Sequence, residues 1–145
     1  MPSGKGPELF LLDTHVWIWL VNGERRIQTG FLGRRLKEKG PELHFHVSVM
    51  SVLEAGMLEA KGRIEFAWGC SEWVRRALRS PEITLAPLTS EIAVASSRLP
   101  GDFHGDPVDR ILAATAQSLG AAFITQDSRI LTYSKHHPLR AIPAF

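Results

Sequence analysis

Short apolar, β-rich runs recur along this chain with helix-patterned segments between them, and that alternation limits the fold more than any other feature. The runs are "ELFLLD" from Glu8, "LHFHVS" from Leu43, "EITLAPL" from Glu82 and "AAFITQD" from Ala121. Each is too short for a core helix and reads as a strand. "LRAIPAF", from Leu139, adds a last edge strand. Between them the first helix, "THVWIWLV", stops at Asn22-Gly23, and a basic helical segment runs from Arg25 to Lys39, closed by Gly40-Pro41. "VMSVLEAGMLEAKG" forms a helix ending at Gly62, and another spans Phe66 to Leu78. "TSEIAVASSRL", capped by Thr89 or Ser90, "DPVDRILAATAQSLG" and a short segment from Ser128 to Tyr133 complete the series. Strands that alternate with helices in this way predict an α/β fold, with a mainly parallel central sheet flanked by helices on both faces. Such folds place their sites outside the carboxyl ends of the strands.

The 145 residues suit one domain, 1–145, with 1–7 as a flexible lead. A single cysteine, Cys70, excludes an internal disulfide and a multi-cysteine zinc site, and a reducing cytoplasm is the simplest home. Lys5 precedes an apolar stretch, but Asp13 and His15 interrupt it, so a signal peptide is not expected. No run reaches transmembrane length, and no membrane partner is expected. The net charge is only +2, yet the basic residues are clustered: Arg25, Arg26, Arg34, Arg35, Lys37 and Lys39 in one segment, Arg75, Arg76 and Arg79 in another. Solvated helix faces account for such clusters, and so do phosphate contacts beside an active site.

The acids follow the rule about strand ends. Asp13 ends the first strand and Asp127 the fourth, Glu54 lies early in the helix after the second, and Asp106 and Asp109 open the helix that leads into the fourth. Each acid alone has an ordinary use. Asp106 before Pro107 is a helix cap, Asp109 suits the positive end of the helix dipole, and Ser51-x-x-Glu54 fits a capping box. Asp13 and Asp127 each fit a cap of the following helix. Gathered at one sheet edge they repel one another, and some would have to take up a proton. A divalent cation removes that conflict, and an all-oxygen donor set favours magnesium or manganese. The chemistry that follows is phosphodiester hydrolysis. No glycine-rich dinucleotide turn, phosphate-binding lysine loop or serine elbow competes with it. Thr14 and Thr125 flank Asp13 and Asp127 and suit hydrogen bonds to the carboxylates or to a metal-bound water, or ordinary capping. His15 and His104 are read as structural or hydrogen-bonding, and Arg110 either reaches a phosphate or pairs with Asp106. Trp17 and Trp19, two apart on one helix, cannot share a narrow face.

With those residues in place the sequence resembles a PIN-domain ribonuclease, in particular the VapC-type toxins of type II toxin–antitoxin pairs. The likeness runs from about Glu8 to the C-terminus through "LLDTHVWIW", "VSVMSVLEAGMLEAKGRI", "LTSEIAVASSRLPGDFHGDPVDRILAATAQSLGA" and "FITQDSRIL". It departs from the usual pattern in having Leu53 before Glu54. The resemblance implies a PIN-like three-layer fold. It implies metal-holding roles for Asp13, Glu54, Asp109 and Asp127, with Asp106 assisting, and cleavage of RNA with Mg2+ or Mn2+. Arg25, Arg26, Arg34, Arg35 and Arg110 are the candidates for holding RNA by its phosphates. The resemblance also implies a homodimer, a cognate antitoxin that occludes the site, and operator DNA bound only through the antitoxin complex. Two other readings remain: the same site used in RNA maturation or DNA cleavage without a toxin role, and a non-catalytic nucleic-acid- or protein-binding module.

Overall fold

The computed structural model describes residues 8–39 and 42–145, and of Lys39 only the backbone. The expected flexible lead over 1–7 and the Gly40-Pro41 helix stop lie outside the described residues. A five-stranded sheet forms from β1 (Glu8–Leu12), β2 (Leu43–Ser48), β3 (Ile83–Ala86), β4 (Ala122–Ile124) and β5 (Ala141–Ile142), in the order β3-β2-β1-β4-β5. Every pairing is parallel, and β5 is an edge. The helices are α1 (Thr14–Val21), α2 (Arg25–Thr29), α3 (Phe31–Lys39), α4 (Val49–Ala60), α5 (Cys70–Ala77), α6 (Ser90–Ser96), α7 (Pro107–Leu119) and α8 (Ser128–Ser134). Among the described residues no helix is long and apolar enough to cross a membrane.

Alternation along the strands divides the interior into two cores. On β1, Phe10 and Leu12 face one core with Val16, Trp17, Ile27, Leu32 and Trp73, while Leu11 faces the other with Leu112, Phe123 and Ile130. β4 alternates in the same sense, with Ala122 and Ile124 in the first core and Phe123 in the second. Both faces of the sheet are therefore covered, which is why these strands read as continuous apolar runs. Trp17 is 0% exposed and meets Trp73 edge-on at 4.9 Å, whereas Trp19 is only half-buried, so the two tryptophans do take different faces.

Several elements differ from the sequence expectation. The basic segment is two helices, because Gly30 ends α2 with an extended backbone at φ −90° and ψ −161°. Its missing side chain lets the chain end pass close by: a Cβ there would lie 2.6 Å from the Ala144 carbonyl oxygen and from Phe145 Cβ. The helix expected from Phe66 starts only at Cys70, since Trp68 and Gly69 have φ of 65° and 82° and turn the chain instead. The capping box does not form. Ser48 caps α4 by accepting from Met50 N at 3.0 Å, so Ser51 falls inside the helix with its hydroxyl buried.

The topology also fixes where a site can lie. From β1 the chain steps to β2 and β3 on one side, then crosses to β4 and β5 on the other. The strand order reverses between β1 and β4, and the crevice beyond their carboxyl ends is the usual ligand position in such sheets.

Candidate active site

At that crevice β1 and β4 end side by side, with Leu12 paired to Ile124 and Asp13 N donating to the Ile124 carbonyl at 2.9 Å. Asp13 follows directly on β1, and Thr125 to Asp127 follow β4. α4 leaves the neighbouring β2 and brings Glu54 in its second turn, and the start of α7 brings Asp106 and Asp109. Asp13, Glu54, Asp106, Asp109 and Asp127 all line one cavity of about 320 Å³. Residues 114 positions apart in the chain thus meet in one pocket.

Capping and pocket-lining turn out to be compatible. Asp106 caps α7 through Oδ1 alone, accepting from Val108 N at 2.9 Å and Asp109 N at 3.1 Å. Asp127 caps α8 through Oδ1 at 2.8 Å from Arg129 N, while its Oδ2 takes the Arg129 guanidinium at 3.2 Å. Asp13 caps α1, accepting from Thr14 N at 2.8 Å. Glu54 and Asp109 have no capping bond. Glu54 receives the Thr14 hydroxyl, which also lies 2.8 Å from the Ser51 hydroxyl, and Asp109 Oδ2 lies 2.7 Å from His104 Nε2. Thr125 joins two of the acids: its hydroxyl donates to Asp13 Oδ2 at 2.6 Å and accepts from Asp127 N at 3.0 Å.

The electrostatics show the strain of this grouping. Burial pushes the Asp13 carboxyl above its ordinary value; the Thr125 bond pulls it back, and the nearby Asp109 charge adds to the rise. Burial also raises Glu54, opposed by the Thr14 bond and reinforced by Asp13, Asp109 and Asp106. Asp109 is raised by burial, opposed by His104 and reinforced by Asp106 and Asp127. Asp127 goes the other way: burial raises it, but the Arg129 guanidinium and the cap N–H groups together outweigh that and hold it low. Three of the five acids therefore resist ionising together, the condition in which a cation stabilises a site.

Two residues at this place were missed or underrated in the sequence. His104, Asp109 and Asp127 each offer a donor atom within 4.8 Å of the others, the one such group among the described residues. The signal was the spacing in "HGDPVD", where the Gly105-Asp106-Pro107 turn folds His104 back over the first turn of α7. Gln126 lines the pocket as well, and nothing in its local pattern marked it. His15 also lines the pocket, with its side chain largely exposed.

The arginines separate into committed and available ones. Arg110, expected among the RNA contacts, does not pair with Asp106. It is half-buried, with Nε donating to the Ser96 carbonyl at 2.9 Å and Nη1 to those of Phe103 and His104 at 2.8 and 3.2 Å. It ties the end of α6 and the segment carrying His104 onto α7. Arg35 is half-buried and ion-paired with Glu8 and Glu38. Arg25, Arg26 and Arg34 are exposed.

Comparison with known proteins places the chain in a family. The PIN domain family matches residues 10–135, spanning all five acids. The chain belongs to the PIN-domain family. Among its relatives, Ribonuclease VapC22 of Mycobacterium tuberculosis is 28% identical over 129 residues, covering 89% of this chain and 95% of that protein. The PIN fold is shared with VapBC2 from Rickettsia felis, solved bound to a promoter DNA fragment, at a TM-score of 0.68 and 12% identity over 93% of this chain and 98% of that one. DNA-bound VapBC from Salmonella typhimurium matches at 0.64 and 14% identity, over 95% of this chain and 99% of that one. A toxin–antitoxin complex from Klebsiella pneumoniae matches at 0.62 and 20% identity, over 93% and 97%. At these identities the solved structures bear on the fold, which they share with this chain as a PIN-like three-layer architecture.

Proposed function

We propose that this PIN domain is a metal-dependent endoribonuclease that hydrolyses RNA phosphodiester bonds in the cytoplasm as the toxin of a type II toxin–antitoxin pair. The observation that carries the reading is the meeting of Asp13, Glu54, Asp106, Asp109 and Asp127 in one pocket at the sheet's switch point. The likeness to Ribonuclease VapC22 over most of both chains supports RNA as the substrate. The donor set is rich in hard carboxylate oxygen and fits Mg2+ or Mn2+; the imidazole of His104 beside it suits manganese better than magnesium.

Asp13, Glu54, Asp109 and Asp127 would hold the ion, and Asp106 would assist through the oxygen its cap leaves free. A bound ion of this kind activates water and offsets charge on the leaving oxygen. The chain's own part is to fix the carboxylates. Thr125 holds Asp13 and the backbone of Asp127, Thr14 holds Glu54, and His104 holds Asp109, so little reorganisation is needed when substrate arrives. Exposed arginines near the pocket would position the RNA by its phosphates. The toxin role brings three partners to this chain: a cognate antitoxin, a second copy of itself in a homodimer, and operator DNA reached only through the antitoxin complex. The antitoxin and DNA assignments follow the solved complexes that share the fold.

The test is an RNA cleavage assay with and without Mg2+ or Mn2+, comparing wild type with Asp109→Asn and recording each melting temperature. Asp109 makes no capping bond, so the variant should fold with equal or higher metal-free stability and lose metal-dependent cleavage. Expression of wild type, but not of Asp109→Asn, should arrest growth of the host cell. Absence of both Mg2+ binding and cleavage in the wild type would refute the nuclease reading.

A further inference from the structure

One wall of the acid pocket is aromatic. Trp19 lines the pocket, and its ring lies 5.8 Å from that of Phe145 and 5.9 Å from that of His15, each tilted by 49°. The Arg26 guanidinium sits 5.3 Å from the Trp19 ring centre and 4.7 Å from that of Phe145. Gln126, the neighbour of Asp127, holds this wall in place: its Oε1 accepts from Ala144 N at 2.6 Å and Phe145 N at 3.3 Å. Beyond Phe145 a second hollow of about 520 Å³ opens, lined by Arg26, Arg34 and Phe31 among others. Trp19 lines the acid pocket and Arg26 and Phe145 line the basic hollow, so the contacts of Trp19 with Phe145 and Arg26 make the wall between the two.

Trp19 packs against the core, but the outer part of the wall is open to water. Phe145 leaves 40% of its surface in water. Among the described residues the carboxylate paired with Arg26 is Glu24, at a long 3.4 Å, and the Arg26 side chain is 57% exposed. A carboxylate pocket repels a polyanion, so a nucleic acid needs cations and stacking surfaces at its margin to remain there.

Resting on the ribonuclease reading, we propose that this wall is a nucleotide subsite for single-stranded RNA. An unpaired base next to the scissile phosphate stacks on Phe145 and Trp19, and the following phosphate meets Arg26 and Arg34 in the second hollow. Duplex RNA keeps its bases stacked within the helix, so it cannot use the aromatic part.

The proposal is tested by fluorescence anisotropy with a labelled single-stranded oligoribonucleotide and with the same strand in a duplex. The host protein is Asp109→Asn, which on the ribonuclease reading should not cut. In that background Phe145→Leu and Trp19→Leu should each weaken single-strand binding about tenfold, in line with the ~1–3 kcal/mol typical of a stacked base. Duplex binding should be unchanged, and Phe145→Tyr, which keeps a ring, should retain single-strand affinity. Arg26→Gln should weaken both probes and lower the salt slope by about 1. If Phe145→Leu, Trp19→Leu and Phe145→Tyr all bind single-stranded RNA like the parent, the wall is structural packing and the subsite is refuted, while the nuclease reading stands. Equal weakening of Phe145→Leu and Phe145→Tyr would also refute it, because loss of binding would then follow disturbance of the chain end and not loss of a ring. If the parent binds no RNA and wild type cleaves none, both readings fall.

Discussion

Thr125 is a 0% exposed hydroxyl whose one oxygen serves two acids, as donor to Asp13 and acceptor from the backbone of Asp127. Replacing it with valine keeps the shape and leaves Asp127 N without that partner. Thr125→Val should cost about 1–3 kcal/mol, read from denaturant unfolding, because a buried donor loses its acceptor. It should also raise the Asp13 pKa further, since the lost bond is the chief influence holding it down. The acids make a second prediction about pH. Asp13, Glu54 and Asp109 have folded-state values above their ordinary 3.8, 4.5 and 3.8. Between those values and the raised ones the native state binds more protons than the unfolded chain, so stability falls as pH rises. Their contribution is fully present below the ordinary values and is lost as pH climbs through the raised ones. Asp127, held low, has the opposite sign: its contribution is fully present above its ordinary value of 3.8 and is lost as pH falls through the lowered one. The metal-free protein should therefore lose melting temperature relative to Asp109→Asn as pH rises from about 4 toward neutrality. Parallel curves for the two proteins would contradict this.

At the scale of elements, the α2–α3 corner is where the basic segment meets the chain end. A methyl group on Gly30 would collide with the Ala144 carbonyl and with Phe145. Gly30→Ala should destabilise the fold by about 1–3 kcal/mol, the usual cost of overpacking, and should shift the Phe145 ring. Thermal denaturation gives the first effect, and the nuclear magnetic resonance shifts of the Phe145 ring give the second. Arg110 does comparable work at the head of α7, where one guanidinium meets carbonyls from α6 and from the segment carrying His104. A lysine has the charge without the planar fork. Arg110→Lys should lower stability by about 1.5–3 kcal/mol for a lost charged hydrogen bond, and should loosen the His104–Asp109 contact. Retention of wild-type stability would show that the fork is dispensable.

For the whole molecule, a cation that binds only the folded state adds stability by mass action. At one hundred times its dissociation constant the gain is about 2.7 kcal/mol. For a domain of this size each kcal/mol moves the melting temperature by roughly 2–8 °C. Saturating Mg2+ or Mn2+ should thus raise the wild-type melting temperature by several degrees and should move that of Asp109→Asn much less. An equal rise in both proteins would mean that the ion acts elsewhere.

What the sequence determined by itself was the order of strands and helices and the chain positions of the acids. Apolar runs such as "ELFLL" and caps such as Asp106-Pro107 are local, and their physics acts within a few residues. That locality also explains the failures. Whether Gly30 breaks a helix depends on Ala144 and Phe145 passing beside it, and whether Ser51 caps depends on where β2 ends. The acid pocket lay between these cases. Its acids were legible because strand ends in a parallel sheet share one edge, but the partners that hold them were not. Thr14 meets Glu54, Thr125 meets Asp13, and Arg110 meets the carbonyl of Ser96, each across contacts that only the assembled tertiary structure brings together. The wall of Trp19, Arg26 and Phe145 belongs wholly to the tertiary structure. Side chains from α1, from α2 and from beyond β5 acquire a common surface only after the β1–β4 crevice has formed.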